Sequence, residues 1–471
     1  MMLKIQQQLT NSFYILLSLP ATAMGFALSV QIAALSWILS TQYQLEIHDI
    51  GLVWAAGPLA GILGQVIIGL ISDRVWFWGG RRRPFILIGG TLAALMLLML
   101  PNIQIISSAT GGTEILIIAI VVALSLDLAI NVSFNPTRSI IADVTQTPKE
   151  RAKGYTWMQT ISGSFGVAAY FIGAVWGNYV LIYVGAGLVL ALSILPAFFI
   201  TEPERVEEEN SAAADALHLS FIEMLLQIKP LWGFLIYSLY ALVARVFHYE
   251  TDTYIVEIVC IVITVSTIAQ VFSADTKKSG ASNFRKVLAA HAFTWIGVQA
   301  MFVYMFAFVQ YSLPELGDIE MGRVVSISFL ILSAVAAVLP VLVLRPMSET
   351  FGPLKTHCAC IASMAVGYLL LASIVSNVWV IYGLMALLGV GWASTISLPF
   401  AIMSVSVSKS QMGAYMGLFN LSVVLPQLIA SLGVGPIVSQ ADDKSLIFII
   451  CGVSLGISAV IWAFVHDSGA R

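Results

Sequence analysis

Apolar stretches about twenty residues long recur along almost the whole chain, and no other feature limits its fold as much. About 20 such residues make a helix long enough to cross the hydrocarbon core of a bilayer. Lipid offers the backbone no hydrogen bonds, so a spanning segment must satisfy its own N–H and C=O groups, as a helix does. The stretches fall at about 12–39, 50–72, 84–101, 115–143, 155–177 and 179–200, then at about 231–247 and 254–272. Six more lie near 288–311, 322–344, 356–375, 377–405, 412–437 and 446–466. Only 10% of the 471 residues are charged, against roughly 25% in soluble domains. The expectation is an all-α integral membrane protein of about 14 transmembrane helices, with no room for a separate soluble domain.

The spans group as six, two and six. Residues 1–200 form an N-terminal six-helix bundle, 201–284 an acidic linker from Glu202 to His218 plus an inserted transmembrane hairpin, and 285–471 a C-terminal six-helix bundle. Lys4, the apolar run from Phe13 and Ala21-Thr22-Ala23 imitate a cleavable signal peptide. Apolar sequence continues to Leu39, however, so this is read as an uncleaved first helix. With both termini cytoplasmic, Arg74, Arg81 to Arg83, Lys149, Arg151, Lys153, Lys277, Lys278, Arg285, Lys286, Arg345, Lys355 and Lys409 all fall inside. Arg245, Arg323 and Lys444 fall outside, beside acids. That is the asymmetry of the positive-inside rule, which sets the orientation; the expected location of this multi-pass protein is the cell (inner) membrane. The two six-span groups also echo each other. Ser72-Asp73-Arg74 with Gly79 to Arg83 corresponds to Ser348-Glu349-Thr350-Phe351-Gly352 with Lys355, and Pro136 with Gly154-Tyr155 to Pro399 with Gly413-Ala414-Tyr415. Related halves are the architecture of secondary transporters.

One residue breaks the apolar rule near the middle of a span. Asp127 lies in Leu124-Ser125-Leu126-Asp127-Leu128-Ala129-Ile130-Asn131. A charge at the bilayer centre costs at least about 2.5–3.5 kcal/mol, so such residues face a cavity or a partner and mark function by default. At 100° per residue, Asp127, Asn131, Asn135 and Arg138 share a stripe roughly 80° wide. Arg138 lies about 16 Å along that stripe, too far for a direct ion pair on a straight helix. Asp143 sits about 160° around from Asp127, which suits a helix-end latch with Arg81, Arg82, Arg83 or Arg74. Asp73, Arg74 and the arginine run serve equally as a cytoplasmic gate or as topology determinants.

Several functions find no support in these residues. Cys260, Cys358, Cys360 and Cys451 lie in or beside spans with no CxxC spacing, and the six histidines form no HExxH pattern. No phosphate loop, metal cluster or nucleophile constellation points to an enzyme, and a net charge of −3 gives no reason to expect nucleic acid.

Certain strings resemble the major facilitator superfamily, and more narrowly its sucrose/proton symporters with their bacterial and animal sugar-transporting relatives. They are Gly57-Pro58-Leu59-Ala60-Gly61 with Gln65, Ser72-Asp73-Arg74, Gly80-Arg81-Arg82-Arg83-Pro84-Phe85-Ile86, and Leu126-Asp127-Leu128-Ala129 with Asn131. Pro136-Thr137-Arg138 with Ala142-Asp143, Gly391-Trp392-Ala393-Ser394 with Pro399, and Gly417-Leu418-Phe419-Asn420 with Pro426-Gln427 complete the set. The resemblance implies a major-facilitator-type fold, here with a two-helix insertion between the bundles. It also implies alternating access, with a sugar bound between the halves and an inward proton gradient as the driving force. By it Asp127 matches the proton-coupling acid, and Arg138 an arginine implicated in substrate handling. The two extra spans depart from the common twelve-helix plan, as do Phe400 where relatives often have Tyr and Ile130 where plant members often have Asn.

From the residues themselves, Asp127 is expected to take a proton that removes the cost of a charge in a closing cavity. Arg138 either clamps the substrate or draws the proton off by stabilising the Asp127 anion; the alternative is that both merely bind other helices. Gln31, Trp295, Gln299, Trp392, Ser394, Asn420 and Gln427 join Asn131, Asn135 and Arg138 as candidate substrate-binding residues. Amides donate and accept toward hydroxyls, and aromatic faces suit pyranose rings. His291 is placed at the start of a span near the inner surface, and Glu257 and Arg245 at the outer ends of the inserted hairpin, snorkelling to water or to each other. The expected function is proton-coupled symport of a neutral sugar, a disaccharide or glucoside such as sucrose or maltose. The alternatives are drug or organic-ion efflux on the same fold, or a sugar sensor that does not transport. No cofactor beyond the coupling proton is expected. The partners are a small sugar and the bilayer, with a monomer as the functional unit.

Overall fold

In the computed structural model the described residues are 4–61, 75–145, 147–202, 221–247, 249, 253–273, 280–375, 377–405 and 412–466. Among them the regular secondary structure is helical, apart from one isolated bridge between Phe77 and Gly80. The first group of helices comprises α1 (Asn11–Thr41), α2 (Ile47–Trp54, resuming over 56–61), α3 (Arg83–Met99), α4 (Ile115–Val144), α5 (Pro148–Trp176) and α6 (Asn178–Phe199). The hairpin is α7 (Trp232–Val246) and α8 (Ile255–Ser273). The last group comprises α9 (Gly280–Ser312), α10 (Asp318–Leu339), α11 (Pro353–Ile374), α12 (Val378–Val405), α13 (Met412–Ile429) and α14 (Leu446–Ala463).

Twelve of these helices are long and apolar enough to cross a membrane, all except α2 and α7. The stretch expected at 50–72 runs into residues outside those described. The first arm of the hairpin, α7, has 15 residues; at 1.5 Å per residue that is about 22 Å, short of the bilayer core. Its apolar run is continued backward by the tight turn Lys229–Leu231.

Packing divides the chain into two compact units: residues 1–208 with 314–330, and 209–313 with 331–471. Within the first unit α1 packs on α5 and α6, while α3 packs on α4 and α6. Within the second, α9 packs on α13 and α14, while α11 packs on α12 and α14. Counted from the start of each six-helix group, these are the same four pairings, so the internal repeat of the sequence is a repeat of packing. The first part of α10 belongs to the first unit, where the Trp37 indole donates to the carbonyl of Asp318 at 2.8 Å and the Ser326 hydroxyl to the Asn178 amide at 2.9 Å.

Two wide π-helical turns, Pro340–Leu344 and Ala430–Val434, have a common cause. A proline stands two residues beyond each, Pro346 and Pro436. A proline inside a helix lacks its N–H and crowds the carbonyl four residues back. Those carbonyls belong to Leu342 and Leu432, inside the wide turns, where an extra residue per turn gives them room.

Helix contacts rely on missing side chains, as membrane packing commonly does. Gly89 and Gly90 lie side by side on α3 and open two different faces. A Cβ on Gly89 would fall 2.3 Å from Ser133 Oγ of α4, and one on Gly90 would fall 2.2 Å from Ser193 of α6. Gly90→Val is therefore expected to destabilise the protein by about 1–3 kcal/mol through overpacking. Gly187→Val, with nothing within 4 Å, should leave stability unchanged. Thermal unfolding of the detergent-purified proteins measures both.

Candidate functional site

Helix α4 carries its polar residues through an apolar sequence. Asp127 is 5% exposed, and its Oδ2 accepts a hydrogen bond from Gln31 Nε2 of α1 at 3.0 Å. Asn131, one turn along α4, donates through Nδ2 to the backbone carbonyl of Asp127 at 2.8 Å. Span two approaches from a third side. A Cβ on Gly57 would lie 3.3 Å from Asp127 Oδ2 and 3.5 Å from its Cγ. The carboxyl group is thus boxed by one amide donor and one helix face that has no side chain there. The structure brings Asp127, Gln31 and Asn131 together. It adds Gly57, noted in the sequence only within the string Gly57-Pro58-Leu59-Ala60-Gly61.

Farther along α4, Pro136 sits inside the helix and Thr137 Oγ1 donates to the carbonyl of Phe134 at 2.8 Å. Arg138 is exposed, with its guanidinium carbon 5.2 Å from the centre of the Phe134 ring and its backbone carbonyl accepting from the Tyr155 hydroxyl at 3.3 Å. The side chain of Asn135 lies outside what is described, as do Gln65, Asp73 and Arg74.

At the far end of α4, Asp143 Oδ2 accepts from Arg81 Nη2 at 3.1 Å and Arg82 Nε at 3.0 Å. Beside this pair lies a feature that the sequence reading placed in the linker. Glu202 is 5% exposed, just past the end of α6. Its carboxylate accepts from the backbone N–H of Arg81 (2.8 Å), Arg82 (3.1 and 2.9 Å) and Arg83 (2.7 Å). The first N–H groups of a helix have no intrahelical partner and carry the positive end of its dipole, so a carboxylate there is doubly favoured. Gly80 makes room, because a Cβ there would lie 2.4 Å from Glu202 Oε1. Next to it, the Gln6 amide pairs with the backbone of Thr201 in both directions, at 2.6 and 3.0 Å. The run of three arginines thus contributes backbone as well as side chains, and the signal for it was the acid that ends the apolar run at Ile200.

In the second unit the candidates fall into three pairings and one residue, Asn420, by itself. Gln427 Nε2 donates to Gln299 Oε1 at 3.2 Å. The Trp295 and Trp392 rings meet edge to face at 6.0 Å. Ser394 is held by His357, Nδ1 to Oγ at 2.6 Å. Asn420 is half-buried on α13. His291 is not interfacial: it lies eleven residues past the start of α9 at Gly280 and is 3% exposed. The Trp295 indole, which can only donate, reaches His291 Nε2 at 3.1 Å. His291 Nδ1 lies 3.0 Å from Ser422 Oγ, and the Ser422 hydroxyl donates to the Phe419 carbonyl at 2.6 Å. This chain assigns the neutral Nδ1–H tautomer, with the ring stacked on Phe419 at 4.5 Å. One histidine thereby fixes the angle of Trp295, a role with no signature in a single apolar span.

The family model of the Major Facilitator Superfamily matches residues 17–431. The sucrose transport protein SUC4 of Arabidopsis thaliana is 24% identical over 418 residues, which cover 82% of this chain and 76% of that protein. The general alpha-glucoside permease of Schizosaccharomyces pombe is 34% identical over 128 residues, covering 26% of this chain and only 23% of the permease. Among solved structures, the nucleoside transporter NupG superposes with a TM-score of 0.63 at 12% identity, over 96% of this chain and 98% of that one. The POT family transporter PepTSo gives 0.66 at 12% identity, over 97% and 98%. At such identities these two likenesses concern the fold alone.

Glu202→Ala removes the acceptor that caps α3 and should cost about 2–3 kcal/mol. Glu202→Gln, which keeps one acceptor oxygen, should cost less. Thermal melts of both variants against the parent give the ranking.

Proposed function

The chain belongs to the Major Facilitator Superfamily, a multi-pass membrane transporter of small molecules and not an enzyme, and from this we propose that it carries a neutral disaccharide or glucoside together with protons by alternating access. The observation that carries the reading is the Asp127 carboxyl group, buried in mid-helix against Gln31 Nε2 at 3.0 Å and the bare backbone of Gly57. An ionised carboxylate in such surroundings is costly, and one amide hydrogen bond offsets only part of the cost. A group in that position is poised to exchange a proton whenever the helices around it part enough to admit water. The sugar specificity draws support from the sucrose and alpha-glucoside relatives and from the amides and indoles already described: Gln299 with Gln427, and Trp295 with Trp392.

In this reading Asp127 is protonated from the side of higher proton concentration, and the neutral carboxyl lets the site close around the sugar. It re-ionises after opening to the other side, where Gln31 again donates to the anion. Arg138, permanently charged and exposed, serves as a planar donor fork for sugar oxygens. Asp143 with Arg81 and Arg82 forms a latch at one end of the first unit.

Proteoliposomes loaded at high pH and diluted into acidic medium should accumulate radiolabelled sucrose or maltose, and collapse of the gradient should abolish the accumulation. Asp127→Asn should lose uphill uptake while keeping sugar counterflow between equal pH values. Alkalinisation of the medium by Asp127→Asn, undiminished on sugar addition, defeats the proton role. Failure of every tested sugar to be taken up by the parent protein defeats the substrate class. Arg138→Lys should raise the KM for sugar about tenfold or more, the loss expected when one charge-assisted hydrogen bond goes, and initial-rate uptake measures it.

A further inference from the structure

The inserted hairpin encloses something that the transport reading does not use. Between α7, α8 and helices α9 and α13 of the same unit lies a cavity of about 410 Å³. Its wall is almost wholly apolar, with Phe234, Ile261, Val265 and Phe293 among the lining residues. Besides the hydroxyls of Tyr237 and Thr264, its one charged lining residue is Glu257, in the first turn of α8. The side chain is half-buried, and its Oε2 is shielded from solvent with no hydrogen-bond partner among the described residues. Buried carboxylate oxygens are ordinarily paired, and an ionised one can only accept.

The cavity is held open by specific features. A Cβ on Gly233 would fall 2.0 Å from Thr264 Oγ1, so α7 and α8 meet closely at that level. Across from them, the wide turn Ala430–Val434 widens its helix at this wall. Tyr304 donates to the carbonyls of both Ala430 and Ser431 at 3.1 Å and holds the turn. The polar end and the apolar length are also ordered. Glu257 stands at the end of α8, where a span meets the headgroup region. The lining residues of α8 continue from it to Val265, eight residues or about 12 Å deeper. Ile261 and Val265 are themselves largely exposed, so a chain can enter from the side.

We propose that this cavity is a binding site for an aminophospholipid of the surrounding bilayer, with its primary ammonium on Glu257 and part of one acyl chain along the apolar wall. The primary ammonium is the donor-bearing cation that a lone carboxylate calls for, and charge-assisted N–H···O bonds are the strong ones. A choline headgroup carries the same charge but no N–H, and a glycerol headgroup carries no cation.

The test is native mass spectrometry of the full-length protein released from mixed micelles. The micelles hold equal amounts of phosphatidylethanolamine, phosphatidylcholine and phosphatidylglycerol with identical acyl chains. The ethanolamine lipid should be retained about tenfold over each of the others, the discrimination expected for one charge-assisted hydrogen bond. Glu257→Gln should erase that preference, Glu257→Asp should keep part of it, and Ile261→Trp should lower retention of all three lipids by filling the cavity. Sugar uptake by each variant checks that it is folded. Equal retention of the three headgroups, or a preference that survives Glu257→Gln, overturns the proposal. So does Glu257-dependent binding of dodecylammonium without retention of the ethanolamine lipid, because the occupant is then a free amine.

Discussion

A carboxyl group placed out of reach of water commits the helices around it, because the free energy of leaving it unpaired is comparable to the stability of a whole domain's smaller contacts. Two buried acids, Glu202 and Asp127, and one shielded oxygen of the half-buried Glu257 meet that constraint in three ways. Glu202 is satisfied by the backbone N–H groups of Arg81, Arg82 and Arg83, which lead into α3, and is a structural fixture. Asp127 is partly satisfied by one amide and stands against a glycine. Glu257 has one oxygen that no group among the described residues meets. The ordering runs from structure toward function: the less the protein itself completes the coordination of a buried acid, the more room remains for a proton or a ligand to complete it.

The architecture follows from similar economy at the helix surfaces. Each unit repeats four helix pairings, and α3 can sit between α4 and α6 only because Gly89 and Gly90 present bare backbone on adjacent faces. The two wide turns show the same logic along a helix rather than across it. In α10 and in the continuation of α13 a proline expels a carbonyl, and the helix accommodates this by loosening one turn instead of breaking.

Much of this was legible in the sequence. The apolar lengths gave the helices, since lipid permits few other solutions, and Asp127 stood out because a charge in such a run needs a reason. The partnership of Gln31 with Asp127 joins residues 96 positions apart, and only the shared expectation that both face inward connected them beforehand. Glu202 was read as the start of a solvated acidic stretch, because composition over a window hides one residue that folds back onto another helix. His291 was placed by its distance from an assumed span boundary, whereas α9 begins well before it, at Gly280. The hairpin acid Glu257 is expected to snorkel to water or to Arg245; it is half-buried and also lines a cavity shared with α9 and α13, neighbours that periodicity within α8 does not reveal.

Gly57 has a consequence for how the first unit can move. Where two helices touch through side chains, a small separation is absorbed by rotamer changes, and a buried group between them stays covered. At Gly57 there is no side chain to follow the motion, so any widening between span two and α4 becomes open volume directly beside the Asp127 oxygens. Interhelical spacing and hydration of the carboxyl are therefore one coordinate at this point, read out through the absence of a single methyl group.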